Sequence, residues 1–231
     1  MKRSSLHLTL TVLVLSALTP AGGLAQDVLD EPGFEGAAKY YLMSIEDALR
    51  LAEQGDVHAQ AELFLRYRVG MRTADGSSDL DKALYWGRKA ARQGHVNTQT
   101  ALANALATIG MRREAARWWR AAAVQGDAYG QESLALAYFE GIGVPRDPVL
   151  AYQWCLLAEQ ALMKMPESLR WKELDDGRWT EIVLSRLEPL QSAAEMRGFL
   201  AGALDDAELE RAKRLAREWE PKTWEELQDR Q

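Results

Sequence analysis

Residues 126–154 read GDAYGQESLALAYFEGIGVPRDPVLAYQW, and this stretch decides the fold. Two runs rich in alanine and leucine flank a glycine-containing segment, Gly141 to Asp147. In the first run, small or apolar residues recur every three or four positions, which places them on one face of a helix. In the second run, Ala151 and Trp154 stand three positions apart, again on one face. The stretch therefore predicts a helix, a loop and a second helix.

The same pattern occurs twice more upstream of this stretch. Each unit begins at a glycine that ends an alanine-containing run, at Gly55, Gly94 and Gly126. A glutamine follows five positions later in each unit, as Gln60, Gln99 and Gln131. The second run of each unit carries the spacing Ala-x-x-Trp, which ends at Trp86, Trp118 and Trp154. The units differ in length only between these two parts, so that segment is predicted to be the loop.

A single helix pair of this kind cannot bury both of its faces, so the units are predicted to stack into a solenoid. The glycine between units is expected to end the second helix with a positive φ. Ser44 to Gly55 reads as the closing helix of an incomplete preceding unit, and Ser44 can cap its start. The sequence thus predicts an all-α fold with repeats over residues 44–162.

The run Gly-x-Gly-Val-x-x-Asp at residues 141–147, followed by Ala151-x-x-Trp154, resembles the Sel1-like repeat family, a relative of the tetratricopeptide repeat. The resemblance implies an α/α solenoid of helix-turn-helix repeats that binds other proteins, often in the bacterial envelope or in regulatory pathways. The other two units depart from the family pattern. The first has a longer loop, residues 71–81, and the second passes from Gly110 almost directly into its second helix.

Residues 1–25 are predicted to be a signal peptide. Two cationic side chains precede an apolar run, Leu8 to Leu18, that is too short to span a bilayer. The small residues of Gly23-Leu24-Ala25 predict cleavage before Gln26, with an uncleaved anchor as the alternative. The protein is therefore expected to be exported, periplasmic or secreted, with no stable membrane anchor after cleavage. Residues 26–43 form an N-terminal extension.

Composition and charge exclude several classes of partner. With 47% hydrophobic and 27% charged residues, the chain has the composition of a globular protein. Its net charge is −6, and loss of Lys2 and Arg3 with the signal peptide makes it −8. A nucleic-acid partner is not expected, because neutralising phosphates needs a basic face. The single cysteine, Cys155, cannot form an internal disulfide and is expected to be buried.

The sequence predicts no catalytic, cofactor or metal site. Two histidines remain in the predicted mature chain, His58 and His95, and their positions show no metal-ligand spacing. Gly141-Ile142-Gly143 is a repeat loop rather than a phosphate loop after a strand. The leading hypothesis is therefore a non-catalytic binder or regulator of an envelope protein. The competing hypotheses are an envelope hydrolase, acting on cell-wall or β-lactam material, and a purely structural adaptor.

A binding groove is expected on the first helices of the units, by analogy with tetratricopeptide repeats. Packing uses positions four, five, eight, nine and twelve after each glycine, which leaves about three, six, ten and thirteen for the groove. The candidate binding residues at those positions are His58, Arg68, Asn97, Asn104, Tyr129, Glu132 and Phe139. The same row also includes Ala61, Leu65, Thr100, Ala107 and Leu136.

This row suits an extended peptide of a partner protein. The two asparagines are expected to pair with its backbone, and Tyr129 and Phe139 to hold its apolar side chains. Arg68 is expected to favour an acidic group as an exposed, screened charge. The sequence leaves the partner and the oligomeric state open.

Unit two carries two adjacent tryptophans. Trp118 occupies the repeat position and is expected to fill the space between neighbouring units. Trp119 lies about 100° further around the helix. It is expected either to pack against the next unit or the cap, or to be a partly exposed interface anchor.

Residues 163–231 are predicted to form a helical C-terminal cap. A turn is expected at Asp175-Asp176-Gly177. Helices are expected at about 179–187, 190–201 and 206–219. Asp205 or Asp206 can cap the last helix, and Thr223 begins a short turn with capping-box spacing.

Overall fold

The computed structural model describes residues 43–69, 79–164 and 181–228, and within these ranges every regular element is a helix. The first helices of the three units are α2 (Val57–Val69), α4 (Val96–Thr108) and α6 (Ala128–Glu140). The second helices are α3 (Leu80–Arg92), α5 (Arg112–Val124) and α7 (Pro148–Met163). The remaining helices are α1 (Ile45–Glu53), α8 (Glu181–Ala203), α9 (Asp206–Arg217) and α10 (Trp224–Gln228). The prediction of an all-α solenoid is confirmed.

The helices form two layers, because each first helix packs on the second helix of its own unit and on the one before it. We call α2, α4 and α6 the first-helix layer, and α1, α3, α5 and α7 the second-helix layer. Although the sequence shows no fourth repeat, α8 packs on α7 and also contacts α6, so it extends the first-helix layer. The following helix, α9, covers α7, where the rings of Trp154 and Trp219 meet edge to face at 6.1 Å.

The turns between units explain why the same residue types recur. Gly55, Gly94 and Gly126 have φ values of 98°, 86° and 91°, which confirms their predicted role. Each repeated glutamine donates to a backbone carbonyl at the end of the preceding second helix: Gln60 to Ala52 (3.0 Å), Gln99 to Ala91 (3.0 Å) and Gln131 to Ala123 (3.2 Å). Each of these carbonyls also accepts from the N–H of the turn glycine, so the glutamine side chain joins the turn to the following first helix.

The loop of unit three is closed against unit two. Gly143 has a φ of 72°, and a Cβ atom there would overlap the carbonyl oxygen of Arg112. At the end of the loop, the Asp147 side chain accepts from the Leu150 N–H at 3.0 Å and so caps α7. Two residues of the Gly-x-Gly-Val-x-x-Asp motif therefore have structural roles. Gly143 allows the close approach of the two backbones, and Asp147 caps the start of α7.

Part of the C-terminal prediction is wrong. Instead of two helices at about 179–187 and 190–201, one helix, α8, continues through Pro189. Proline removes one backbone N–H and crowds the preceding turn, but the turns on either side keep their own hydrogen bonds and the helix persists. The third prediction is confirmed, because Asp205 and Glu208 form a capping box at the start of α9.

The C-terminal tail, residues 218–228, runs back along the ends of the second-helix layer. The Lys222 N–H donates to the carbonyl of Val124, the last residue of α5, at 2.8 Å. Further along, Trp224 Nε1 donates to the carbonyl of Arg92, the last residue of α3, at 3.1 Å. The tail thus contacts unit two and then unit one. The signal peptide, most of the N-terminal extension, most of the long loop of unit one and the turn at residues 175–177 lie outside the described ranges.

Candidate protein-binding surface

The candidate residues form a row across the first-helix layer. His58, Asn97 and Asn104 are exposed, and Leu65 and Leu136 expose 43% and 38% of their surface. Neutral polar and apolar side chains therefore dominate the exposed part of the row. Two alanines of the row are less exposed: Ala61 on α2 is buried, and Ala107 on α4 is half-buried.

Asn104 is exposed, but its side chain also makes a hydrogen bond within the protein. Its Oδ1 atom accepts from Trp119 Nε1 at 2.8 Å, and Trp119 is only 6% exposed. The alternative that Trp119 is an exposed interface anchor is therefore wrong. Trp118, which was expected to fill the space between units, is only half-buried and donates to Glu114 at 3.4 Å. In unit two the buried tryptophan is thus displaced by one residue.

Thr100 is also part of the internal packing rather than the row. It is buried, and its hydroxyl donates to Asp127 Oδ2 at 2.7 Å. The same Asp127 oxygen caps α6 by accepting from the Gly130 N–H at 2.7 Å. Burial raises the pKa of Asp127, and these two hydrogen bonds oppose the shift. This contact joins units two and three.

The C-terminal end of the row meets α8. The edge of the Phe139 ring contacts Phe199, with centroids 5.7 Å apart, and the Arg146 guanidinium lies 5.6 Å from the Phe139 centroid. Phe199 is 64% exposed, so it continues the row beyond the repeats. Sequence reasoning missed Phe199 because α8 carries no repeat signature. The only sequence feature that could have indicated Phe199 was the helical pattern around this residue.

Two other candidates of unit three are partly buried. Tyr129 is half-buried on the first turn of α6. Glu132 lies between α6 and α8, where its carboxyl is hydrogen-bonded with Ser192. Burial raises the pKa of Glu132, and the bond with Ser192 opposes that shift. Glu132 is therefore a contact between helices as well as a member of the row.

Arg68 differs from its predicted environment. Its guanidinium lies 5.5 Å from the centroid of the Phe64 ring, and the side chain is half-buried. Burial lowers the pKa of Arg68. The expectation of an exposed and screened charge is therefore wrong, because the aromatic ring beneath it removes part of its water.

The structure brings together two histidines that sequence spacing left apart. The rings of His58 and His95 meet edge to face at 5.4 Å, at the contact between units one and two. His95 also caps α4, since its Nδ1 accepts from the Thr98 N–H at 3.3 Å. Burial, and then the neighbouring His58, lowers the pKa of His95. The repeat alignment could have predicted this contact, because the two histidines lie at the starts of successive first helices.

Cys155 is buried, as the sequence predicts. Burial, followed by the negative charges of Glu159 and Glu132, raises its pKa to about 12, so the thiol is protonated at neutral pH. Within the described ranges no three His, Cys, Asp or Glu side chains stand close enough to hold a metal ion. No helix in those ranges has the length and apolar composition to cross a membrane.

The three units correspond to a known repeat family. The Sel1 repeat model matches residues 57–95, 112–127 and 128–161. The chain belongs to the Sel1 repeat family. The gap in the match, residues 96–111, covers α4 and the short turn after it, where unit two lacks the Gly-Val loop. Sel1 repeat proteins generally mediate interactions between proteins.

Two solved structures are similar to this Sel1 repeat chain. A Sel1 repeat protein from Oxalobacter formigenes is 32% identical over 52% of this chain and 93% of its own length, with a TM-score of 0.47. A protective antigen present in uropathogenic Escherichia coli strains, with an SLR fold, is 22% identical over 81% of this chain and 43% of its own, also with a TM-score of 0.47. No curated protein matches the chain.

Proposed function

We propose that this Sel1 repeat protein is exported and binds other proteins without catalysing a reaction, as a regulator or adaptor in the cell envelope. One observation carries the proposal. Exposed amide and apolar side chains follow one another across the first-helix layer and onto α8, from Asn97 through Leu136 to Phe199. A helix face that is merely solvated usually carries more lysine and glutamate. Such a row suits an extended segment of a partner protein.

The members of the row are suited to unequal roles. Asn97 is exposed on the first turn of α4, so its amide can both donate to and accept from a peptide backbone. Asn104 already accepts from Trp119, so it is less suited to that task. At the other end, Leu136 and the Phe139–Phe199 pair provide an apolar site for side chains of the partner.

Export rests on the predicted signal peptide. We expect the mature chain to begin at Gln26, because the small residues before it form the cleavage site. Intact-mass measurement or N-terminal sequencing of the protein recovered from the envelope fraction checks this. A full-length chain recovered from the cytoplasm would contradict both export and an envelope role.

The binding surface is tested with a partner captured from envelope extracts by the mature chain. Phe199→Ala is expected to weaken binding by about 1–2 kcal/mol, because exposed aromatic anchors are typical hot spots. Since Phe199 is 64% exposed, its truncation should leave the melting temperature nearly unchanged. The matched control is Met163→Ala, which truncates a large apolar side chain that is 57% exposed at the end of α7, on the second-helix layer.

The two variants distinguish binding on the first-helix layer from binding on the second-helix layer. Calorimetric titration should show a loss for Phe199→Ala and none for Met163→Ala. The reverse result places the partner on the second-helix layer and contradicts the proposed row. Hydrolysis of a β-lactam or of peptidoglycan by the purified protein would contradict the non-catalytic function.

A further inference from the structure

The second-helix layer carries a local charge opposite to that of the whole chain. Helices α3 and α5 together contain eight Lys or Arg residues and two Asp or Glu residues. Their local net charge is +6 in a chain whose net charge is −6. A sequence average therefore conceals a basic surface, and the expectation that the chain avoids anionic partners does not hold for this face.

Six of the eight cationic side chains of α3 and α5 are exposed. On α5 the buried residues are Ala115, Ala116, Trp119, Ala122 and Ala123, and all four arginines are exposed. The exposed cations of the two helices are Lys82, Arg92, Arg112, Arg113, Arg117 and Arg120. Of these, Lys82 forms an ion pair with Asp79 at 2.8 Å, and Arg120 donates to the hydroxyl of Tyr138 on α6. We call the outward side of α3 and α5 the basic face.

An ion pair fixes the two helices side by side within this face. Arg88 on α3 donates through Nε and Nη2 to the two carboxylate oxygens of Glu114 on α5, at 2.7 and 2.9 Å. The indole of Trp118 donates to the same carboxylate at 3.4 Å. One of the two acids on these helices is therefore already neutralised. The arrangement also shows how a carboxylate is bound on this face, by an arginine fork and an indole N–H.

Other parts of the described chain leave the basic face exposed. Helix α9 covers α7 rather than α3 or α5, and the C-terminal tail contacts the carboxyl-terminal ends of α3 and α5 at Arg92 and Val124. A surface with this excess of cations repels a cationic partner and attracts an anionic one. Both carboxylates and phosphates fit arginine forks, but the bound example on this face is a carboxylate.

We propose that the basic face is a second docking surface and that it binds an acidic segment of a partner protein. Sel1 repeat proteins generally bind proteins, and the chemistry seen at Glu114 is that of a glutamate or aspartate side chain. The basic face lies on the layer opposite to the row that ends at Phe199. It can therefore function or fail independently of the function proposed above.

The test uses the mature chain and a fluorescent glutamate-rich peptide, with a glutamine-rich peptide of the same length as the ligand control. Fluorescence anisotropy should show binding of the acidic peptide alone. The affinity should fall steeply between about 50 and 300 mM salt, because exposed charges are screened. Arg113→Glu with Arg117→Glu should weaken binding about tenfold or more, since two attractions become repulsions.

The matched control is Arg211→Glu with Arg214→Glu on α9, which changes the net charge equally at two other exposed arginines. This pair should retain most of the affinity, and thermal melts should show both double variants folded. Equal losses in the two double variants would mean that net charge alone drives binding and would overturn the proposal. So would an absence of peptide binding, or binding only to phosphatidylglycerol vesicles or duplex DNA. The Phe199→Ala variant should bind the acidic peptide normally, which separates this result from the first.

Discussion

Units two and three form the same helix pair by different local means. In unit three, seven residues from Gly141 to Asp147 connect the helices, and the loop closes on Arg112. In unit two, three residues from Ile109 to Met111 suffice. Both units keep the turn glycine and the glutamine that binds a helix-end carbonyl. The comparison teaches that these shared contacts specify the unit, while the loop is adjustable.

The units also differ in the size of the side chain that follows the repeat tryptophan. The residue after the repeat tryptophan is Gly87 in unit one, Trp119 in unit two and Cys155 in unit three, and all three are buried. In unit one the facing side chain is Phe64, whose ring leaves no room for a Cβ atom on Gly87. The position equivalent to Phe64 is Ala103 in unit two. Large and small residues have thus exchanged places between the two helices, as close packing requires.

Truncation of the buried tryptophans should have the largest effect. Trp154→Ala should lower the free energy of unfolding by about 3–5 kcal/mol, because it leaves a cavity beside Trp219. Trp119→Ala should cost a similar amount, and the half-buried Trp118→Ala clearly less. Urea denaturation followed by circular dichroism measures all three. A larger loss for Trp118→Ala than for Trp119→Ala would contradict the displaced packing of unit two.

The next effect concerns the glycines of the two connections. Gly143→Ala should cost about 2–4 kcal/mol, because its φ is 72° and the new methyl group would overlap the Arg112 backbone. Gly110→Ala should cost only about 1–2 kcal/mol, since φ is 84° but nothing lies within 4 Å of the added carbon. Thermal melts of the pair provide the measurement. Equal losses would show that the loop of unit three does not depend on its contact with unit two.

A smaller effect distinguishes the two asparagines of unit two. Asn104→Ala should lower the free energy of unfolding by about 1–2 kcal/mol, because it removes the acceptor of the Trp119 indole N–H. Asn97→Ala should change it by less than about 0.5 kcal/mol, since its side chain is exposed. Urea titrations of both variants check the difference. Identical stabilities would remove the structural role assigned to Asn104.

The smallest effect is expected in the long loop of unit one. Deleting a few residues between Thr73 and Ser78 should cost less than about 1 kcal/mol, because unit two folds without such a loop and loop-closure entropy depends weakly on length. A thermal melt beside Trp154→Ala tests the repeat alignment. If the deletion is the more damaging change, the alignment of unit one is wrong.

The repeats could be predicted from the sequence because the same residue types occupy the same packing positions in each unit. Three occurrences of glycine, glutamine and Ala-x-x-Trp placed the helices of all three units. The same method misplaced the buried tryptophan of unit two, because an alignment of residue types does not include the size of the facing side chain. Only the pair Phe64 and Ala103, read together with Gly87 and Trp119, contains that information.

The candidate surface was less predictable than the fold. Spacing alone put Thr100 and Asn104 in the groove, although hydrogen bonds to Asp127 and Trp119 engage them. Spacing also omitted Phe199, which reaches the row from a helix outside the repeats. The basic face was hidden by the overall negative charge. In each case a contact between distant segments decides the role of the residue, and such contacts have no fixed spacing.

The C-terminal tail adds a contact between distant parts of the sequence to this solenoid. In a simple repeat array each contact joins neighbouring units, so folding can begin anywhere and spread. Here the hydrogen bond from Trp224 to Arg92 spans 132 residues of sequence. The carbonyls at the ends of α3 and α5 take up the positions in which the tail binds them when those helices form. We therefore expect tail docking to follow the formation of α3 and α5, because its long loop must close before any contact compensates the lost chain entropy.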